Sequence, residues 1–188
     1  MSHTITRIIS AIAPIYDPII EWFLHGEDRV RNRMAERIPD FERGLDIGCG
    51  TGTFLEVLRN KKSGELYGLD ISKRMLRAAK RKHSGMEFLR GSALHLPFRD
   101  SSFDAVFSTM MMHHLTHEER VAALGEIRRV LRPGGAYYSL EFGEEGLDRT
   151  GRAVTGLGYL DESDLHGFGH MEKELWEKGL VWRALHRK

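Results

Sequence analysis

Disulfides, membrane spans and a dominant charge are all missing from this sequence, and each absence narrows what the chain does. One cysteine in 188 residues rules out an internal disulfide framework and fits a reducing compartment. No apolar run approaches membrane-spanning length. The opening Met1-Ser2-His3-Thr4-Ile5 lacks the basic cap and long apolar core of a secretory signal. The 28 Lys and Arg nearly balance the 27 Asp and Glu, and a formal charge of +1 gives no reason to expect a polyanionic partner. Repeats and low-complexity tracts are absent too. The expectation is one cytoplasmic domain over residues 1–188, with 41% hydrophobic and 29% charged residues, long enough to bury a core.

What is present is concentrated in Leu45-Asp46-Ile47-Gly48-Cys49-Gly50-Thr51-Gly52. The apolar start reads as a buried strand. The three alternate glycines suit neither strand nor helix interior. Phe54-Leu55-Glu56-Val57-Leu58 then has helical spacing. Strand, glycine turn and helix together make a loop that lets a ligand approach the backbone and aims helix amides at it. A dinucleotide fingerprint needs its third glycine at Thr53, whereas here Gly52 comes one residue early. A second short strand ends in Gly68-Leu69-Asp70, about twenty residues on, the distance expected for a ribose-binding acid. An acid there accepts hydrogen bonds from both ribose hydroxyls.

Strand and helix alternate through the middle of the chain, which predicts an α/β fold with a doubly wound, mainly parallel sheet. Strands are expected near Arg43–Ile47, Glu65–Leu69, Met86–Arg90, Phe103–Ser108 and Gly135–Glu141. Helices are expected near Thr53–Lys61, Lys73–Lys82 and His117–Leu131, the last stopped by Arg132-Pro133-Gly134-Gly135. Residues 1–40 read as a helical cover interrupted by Pro14 and Pro18, with Trp22 and Phe23 on its buried side. Residues 41–142 are the core and 143–188 close the sheet. Asp164 to Lys178 reads as a broken helix and Leu180 to Leu185 as a last strand. The sheet is therefore either one strand short or completed by Val154–Leu160.

LDIGCGTG, the acid in GLDIS, GSALHLPFRDSSFDAVFS and LRPGG, in that order, resemble the successive motifs of class I S-adenosylmethionine-dependent methyltransferases. The resemblance runs from about Tyr16 to Leu140 and is nearest the ubiquinone/menaquinone biosynthesis group and its small-molecule relatives. It implies S-adenosylmethionine as cofactor, methyl transfer as activity and a small-molecule acceptor. The loop of Gly48, Gly50 and Gly52, with the Thr51 hydroxyl, would hold the cofactor's methionine carboxylate, and Cys49 would be a small loop residue within the same cofactor site. Asp46 would orient the loop or the ammonium group, and Asp70 would take the ribose. Ser92, Ala93 and Leu94 would flank the adenine, with Ser92 standing where the family usually has aspartate, and Ile71 and Met75 would join the cofactor site. Serine can accept a hydrogen bond there, without charge assistance. Ser108 and Thr109 would lie under the sulfonium. The family usually ends its sheet in an antiparallel pair. Ala13-Pro14-Ile15-Tyr16-Asp17 is similar to a family element whose tyrosine covers the methionine end, which makes Tyr16 a lid candidate.

Each residue also has a plainer reading. Asp70 would serve as a turn carboxylate ahead of Ser72, and two of Met110, Met111 and Met112 as core filling. His113, His114 and His117 suggest a metal by spacing, but no third firm ligand is nearby, and no metal is expected. One of His113 and His114 would be a general base, the role their free pKa suits. Lys73, Arg74, Arg77, Lys80, Arg81 and Lys82 read as a solvated helix face over a Met75, Leu76, Ala79 stripe. No stable nucleic-acid partner is expected, and a homodimer is admitted. Two rival functions stand beside a small-molecule methyltransferase. One is a tRNA or protein methyltransferase, and the other is a non-catalytic S-adenosylmethionine-binding module. The methyl acceptor is not readable from the residues.

Overall fold

The computed structural model describes residues 27–142, 168–169, 171–175 and 180–185. Tyr16, Trp22, Phe23 and the 154–160 segment lie outside them. Helix α1 (Glu27–Arg37) leads into β1 (Arg43–Ile47), α2 (Thr53–Arg59), β2 (Glu65–Asp70), α3 (Lys73–Lys82) and β3 (Glu87–Arg90). Strand β4 (Phe103–Thr109), a 3₁₀ turn at Met112–His114, α4 (His117–Val130), β5 (Leu131–Phe142), β6 (Met171–Leu175) and β7 (Leu180–Leu185) follow.

The seven strands form one sheet in the order β3-β2-β1-β4-β5-β7-β6. The first five are parallel, while β7 runs antiparallel to β5 and to β6. The strand order reverses between β1 and β4, and ligands of such sheets sit beyond the carboxyl ends of the strands at that reversal. The sheet is buried on both faces. Met34 and Ala35 of α1 and Ile38 just after it pack with Phe54, Leu55 and Leu58 of α2 and Leu76 and Ala79 of α3 on one face. Ala123, Leu124, Ile127 and Val130 of α4 pack on the other with Leu45, Ile47, Val106 and Tyr137. Two-sided burial explains why β4 is a near-continuous apolar run and does not alternate.

Local signals set the ends of the helices. Ser72 caps α3 by accepting from the Met75 amide at 3.3 Å. Thr116 and Glu119 form a reciprocal capping box at the start of α4. Strand β5 begins at Leu131, earlier than the glycines suggest, because the chain pairs once with Phe103, bulges through Gly134 and resumes pairing at Ala136.

The closing end corrects the expectation from sequence. Met171–Leu175, inside the stretch read as a broken helix, is strand β6, so the sheet is not one strand short. Its register is fixed by β7, from Met171 opposite Leu185 to Leu175 opposite Val181. That partner is a separate strand, which helical spacing within 164–178 does not report.

Candidate functional site

The carboxyl ends of β1, β2, β4 and β5 bring the chemistry together. Gly48 and Gly50 have φ values of 72° and 55°, a left-handed backbone that residues with a Cβ adopt at a cost. A Cβ on Gly48 would lie 2.3 Å from Cγ of Met111, so the loop passes directly under that side chain. Among the described residues, a Cβ on Gly50 would meet nothing within 4 Å. The amides of Gly48 and Cys49 both donate to the Leu69 carbonyl, at 2.7 and 3.1 Å, fastening the loop to β2.

Asp70 ties this loop to the next helix. Its Oδ2 accepts from the Gly50 amide at 2.9 Å and its Oδ1 from the Ser72 amide at 2.7 Å. Burial pushes its pKa up, and those two amides pull against the shift. Asp70 therefore serves as the turn carboxylate of the plainer reading, and each oxygen keeps further lone-pair capacity. The Gly91 amide donates to the Asp70 carbonyl at 3.1 Å, which brings Ser92, Ala93 and Leu94 beside it. Ser92 Oγ accepts from the Leu94 amide at 3.2 Å. Ile71 is 43% exposed at this edge, whereas Met75 is buried.

Asp46 is the sharpest anomaly. It is 0% exposed, and neither carboxylate oxygen has a hydrogen-bond partner among the described residues. Burial pushes its pKa well up, Arg31 of α1 draws it back, and Asp70 adds to the rise. A buried carboxyl of this kind either keeps its proton or holds a cation. Cys49 is also buried, and burial with Asp46 and Asp70 nearby raises its thiol pKa well above normal, the opposite of an activated nucleophile. Its Sγ would lie 2.9 Å from a Cβ on Gly68, so Gly68 makes its room.

The β4 side is a tight turn. Ser108 is fully buried, its Oγ 2.6 Å from the Tyr137 hydroxyl and 3.4 Å from Ser139 Oγ. Thr109 and Met110 are half-buried, and Met110 holds a φ of 55° that costs a non-glycine residue about 1 kcal/mol or more. Met111 and Met112 are buried core residues. His113 and His114 follow with ring centroids 4.0 Å apart. Burial and the neighbouring His113 lower the His114 pKa to about 3. Among the described residues no group of three metal-ligating side chains occurs.

Two further residues support the site and carry no motif. Glu141, 3% exposed at the end of β5, accepts from the Met111 and Met112 amides at 3.0 and 2.8 Å and lies 2.8 Å from His113 Nδ1. His83, buried at the end of α3, donates from Nε2 to the Thr51 carbonyl at 3.0 Å and so braces the glycine loop from behind. Glu141 had one visible signal, an acid ending a buried strand on the same rim as Asp46 and Asp70. His83 had none.

Residues 45–139 match the protein family described as a methyltransferase domain. A demethylmenaquinone methyltransferase of Thermus thermophilus is 39% identical over 145 residues, covering 72% of this chain and 64% of the relative. A 2-phytyl-1,4-naphtoquinone methyltransferase of Trichormus variabilis is 31% identical over 153 residues, covering 76% and 66%. The chain thus spans just under two thirds of the length of these relatives. Among solved structures, a Pyrococcus horikoshii protein superposes with a TM-score of 0.71 at 23% identity, over 92% of this chain and 91% of that one. An S-adenosylmethionine-dependent methyltransferase of Thermotoga maritima gives 0.72 at 20% identity, over 94% and 98%. At those identities the structures speak to the fold.

Proposed function

The chain belongs to the methyltransferase-domain family, and from that premise we propose that it transfers a methyl group from S-adenosylmethionine to a small, apolar, quinone-like acceptor. The observation that carries the cofactor is the buried carboxyl of Asp46 beside the glycine loop, which has no hydrogen-bond partner among the described residues. A dinucleotide would bring a diphosphate toward Asp46, while its ribose would face Asp70 as the ribose of S-adenosylmethionine does. S-adenosylmethionine instead brings an ammonium and a sulfonium, and an unpartnered buried carboxylate gains from a cation.

Each part of the rim then has a task. The Gly48–Thr51 backbone and the Thr51 hydroxyl hold the methionine carboxylate. Asp46 takes the ammonium, and Asp70 takes the ribose hydroxyls with its remaining lone pairs. Ile71, Met75, Ser92, Ala93 and Leu94 enclose the adenine, and Ser108 and Thr109 form the floor beneath the sulfur. When bound, the cofactor supplies a methyl group already activated by positive sulfur, so alignment is the protein's main contribution.

The acceptor needs to lose a proton as it becomes the nucleophile. His114, with its pKa near 3, is a weak base at neutral pH, so the task falls to His113 beside its carboxylate. The acceptor class rests on the relatives named above, whose names give 2-phytyl-1,4-naphtoquinone and demethylmenaquinone as the molecules they methylate. The acceptor is a small molecule and not a nucleic acid, in keeping with a near-neutral formal charge of +1. No described helix is long and apolar enough to cross a membrane, and the lone buried thiol suits a cytoplasmic protein.

Calorimetry tests the cofactor: binding of S-adenosylmethionine with none of NAD is expected, and the reverse rejects the reading. Transfer of label from methyl-labelled cofactor to a prenylated 1,4-naphthoquinol tests the acceptor. Cofactor binding without transfer to that quinol would remove the quinone assignment and leave the cofactor assignment standing.

A further inference from the structure

The buried contact between β5 and the turn after β4 says more than the assignment of a base. Glu141 has two carboxylate oxygens and three donors around them. The Met111 and Met112 amides, which can only donate, both point at Oε1. His113 Nδ1 faces Oε2. The two amides occupy Oε1, and a carboxylate is an acceptor only. Nδ1 must then carry a proton, and the lone pair of the neutral imidazole is on Nε2.

We propose that Glu141 is a positioning residue for methyl transfer, holding His113 as the tautomer protonated on Nδ1 and basic at Nε2. This rests on the assignment of His113 as base. The same carboxylate fixes where the turn runs. Met110, at a φ of 55°, donates its amide to the Leu140 carbonyl at 2.8 Å, so the kinked turn is held by two successive residues of β5. Met111, whose amide Glu141 receives, lies over Gly48 closely enough that a Cβ there would clash with its Cγ. One acid at the end of β5 thereby sets the proton position on His113 and the height of the methionine above the cofactor loop.

Glu141→Gln separates these roles. The glutamine carbonyl still accepts from both amides, but its NH₂ donates to Nδ1 and reverses the tautomer. The cofactor should bind within about threefold of the wild type. Turnover of a prenylated 1,4-naphthoquinol should fall roughly 100-fold, the scale of a general base, with little change in KM. Nitrogen-15 spectra of the His113 imidazole should show Nδ1 protonated in the wild type and Nε2 protonated in the variant, independently of activity. Glu141→Asp, which keeps the charge, should recover part of the rate. A wild-type spectrum with the proton on Nε2, or wild-type turnover in Glu141→Gln, overturns the proposal. Full turnover in His113→Asn with the predicted spectra would instead remove His113 as base, and Glu141's catalytic role with it, while its control of the tautomer stands.

Discussion

The two rims of the sheet carry aspartates in opposite conditions. At the amino end, Asp104 of β4 accepts from the Glu42 and Arg43 amides at 3.0 and 2.8 Å and from Arg132 at 2.7 Å. Burial pushes its pKa up, but the Arg43 amide and Arg132 outweigh that and hold it below the ordinary carboxylate range. At the carboxyl end, Asp46 of β1 lies deeper, has no hydrogen-bond partner among the described residues, and has its pKa raised. The same side chain in the same sheet has its charge answered at one rim and, among the described residues, is left without a hydrogen bond at the other. Parallel strands place the loops that vary at one end, so the unanswered polar groups collect there.

Gly48→Ala should blur the contrast most, because the upper rim then fails as structure. The new Cβ combines a left-handed φ with a clash at Met111, and urea unfolding should lose about 2–4 kcal/mol. Gly50→Ala, with nothing within 4 Å among the described residues, should cost only about 1 kcal/mol and show its main effect as weaker cofactor binding. Equal losses at the two glycines would mean that Met111 simply moves aside.

Asp70→Asn should weaken S-adenosylmethionine binding by about 1.5–3 kcal/mol, since two charge-assisted bonds to the ribose become neutral ones. The unliganded fold should survive. An unchanged Kd would make Asp70 a turn residue and nothing more.

Asp104→Asn and Asp46→Asn sharpen the comparison by their opposite signs. The first should lower stability by about 1–2 kcal/mol at neutral pH. The second should leave stability level or raised, while cofactor binding falls. The pH dependence follows. Asp104 has a lowered folded pKa, so its contribution is present above the unfolded carboxylate value, about 4, and is lost as pH falls through the folded value. Asp46 has a raised folded pKa, so the fold binds the extra proton and stability falls as pH rises from about 4 through the folded value. Thermal melts of the wild type and both variants between pH 3 and pH 8 read this directly. A shared sign would dissolve the distinction between the rims.

The smallest effect is expected at Ser92→Asp. Charge at the adenine position should strengthen cofactor binding by about 0.5–1 kcal/mol, a few-fold in Kd by calorimetry. Weaker binding would place the 92–94 turn away from the adenine.

Much of the fold was legible because its signals are local. The period of two or 3.6 and the capping residues lie within each segment, so α3 at Lys73–Lys82, β1 at Arg43–Ile47 and β7 at Leu180–Leu185 have the bounds that the residues imply. The glycine loop and Asp70 were legible for a related reason: a sharp strand-to-helix turn needs particular residues at fixed offsets. Strand β6 was not legible, since what makes Met171–Leu175 a strand is its pairing with β7. The buried hydroxyl of Ser108 was equally hidden, because its partners Tyr137 and Ser139 lie on the next strand.

The sequence by itself determined the order of strands and helices from β1 to β5, the glycine turn, the acid that closes it and the methyltransferase family. These rest on interactions between residues a few positions apart, where spacing alone decides which groups meet. The tertiary structure decided which carboxyls have partners and which histidine has one. Asp46 and Asp104 read alike in the chain, and so do His113 and His114. Only the packing of β4 against β1 and β5 brings Arg132 to Asp104 and Glu141 to His113 and leaves Asp46 enclosed with no donor among the described residues. A charge is stabilised or stranded by what the fold carries to within about 3 Å of it, and for these groups the donors that arrive come from other strands.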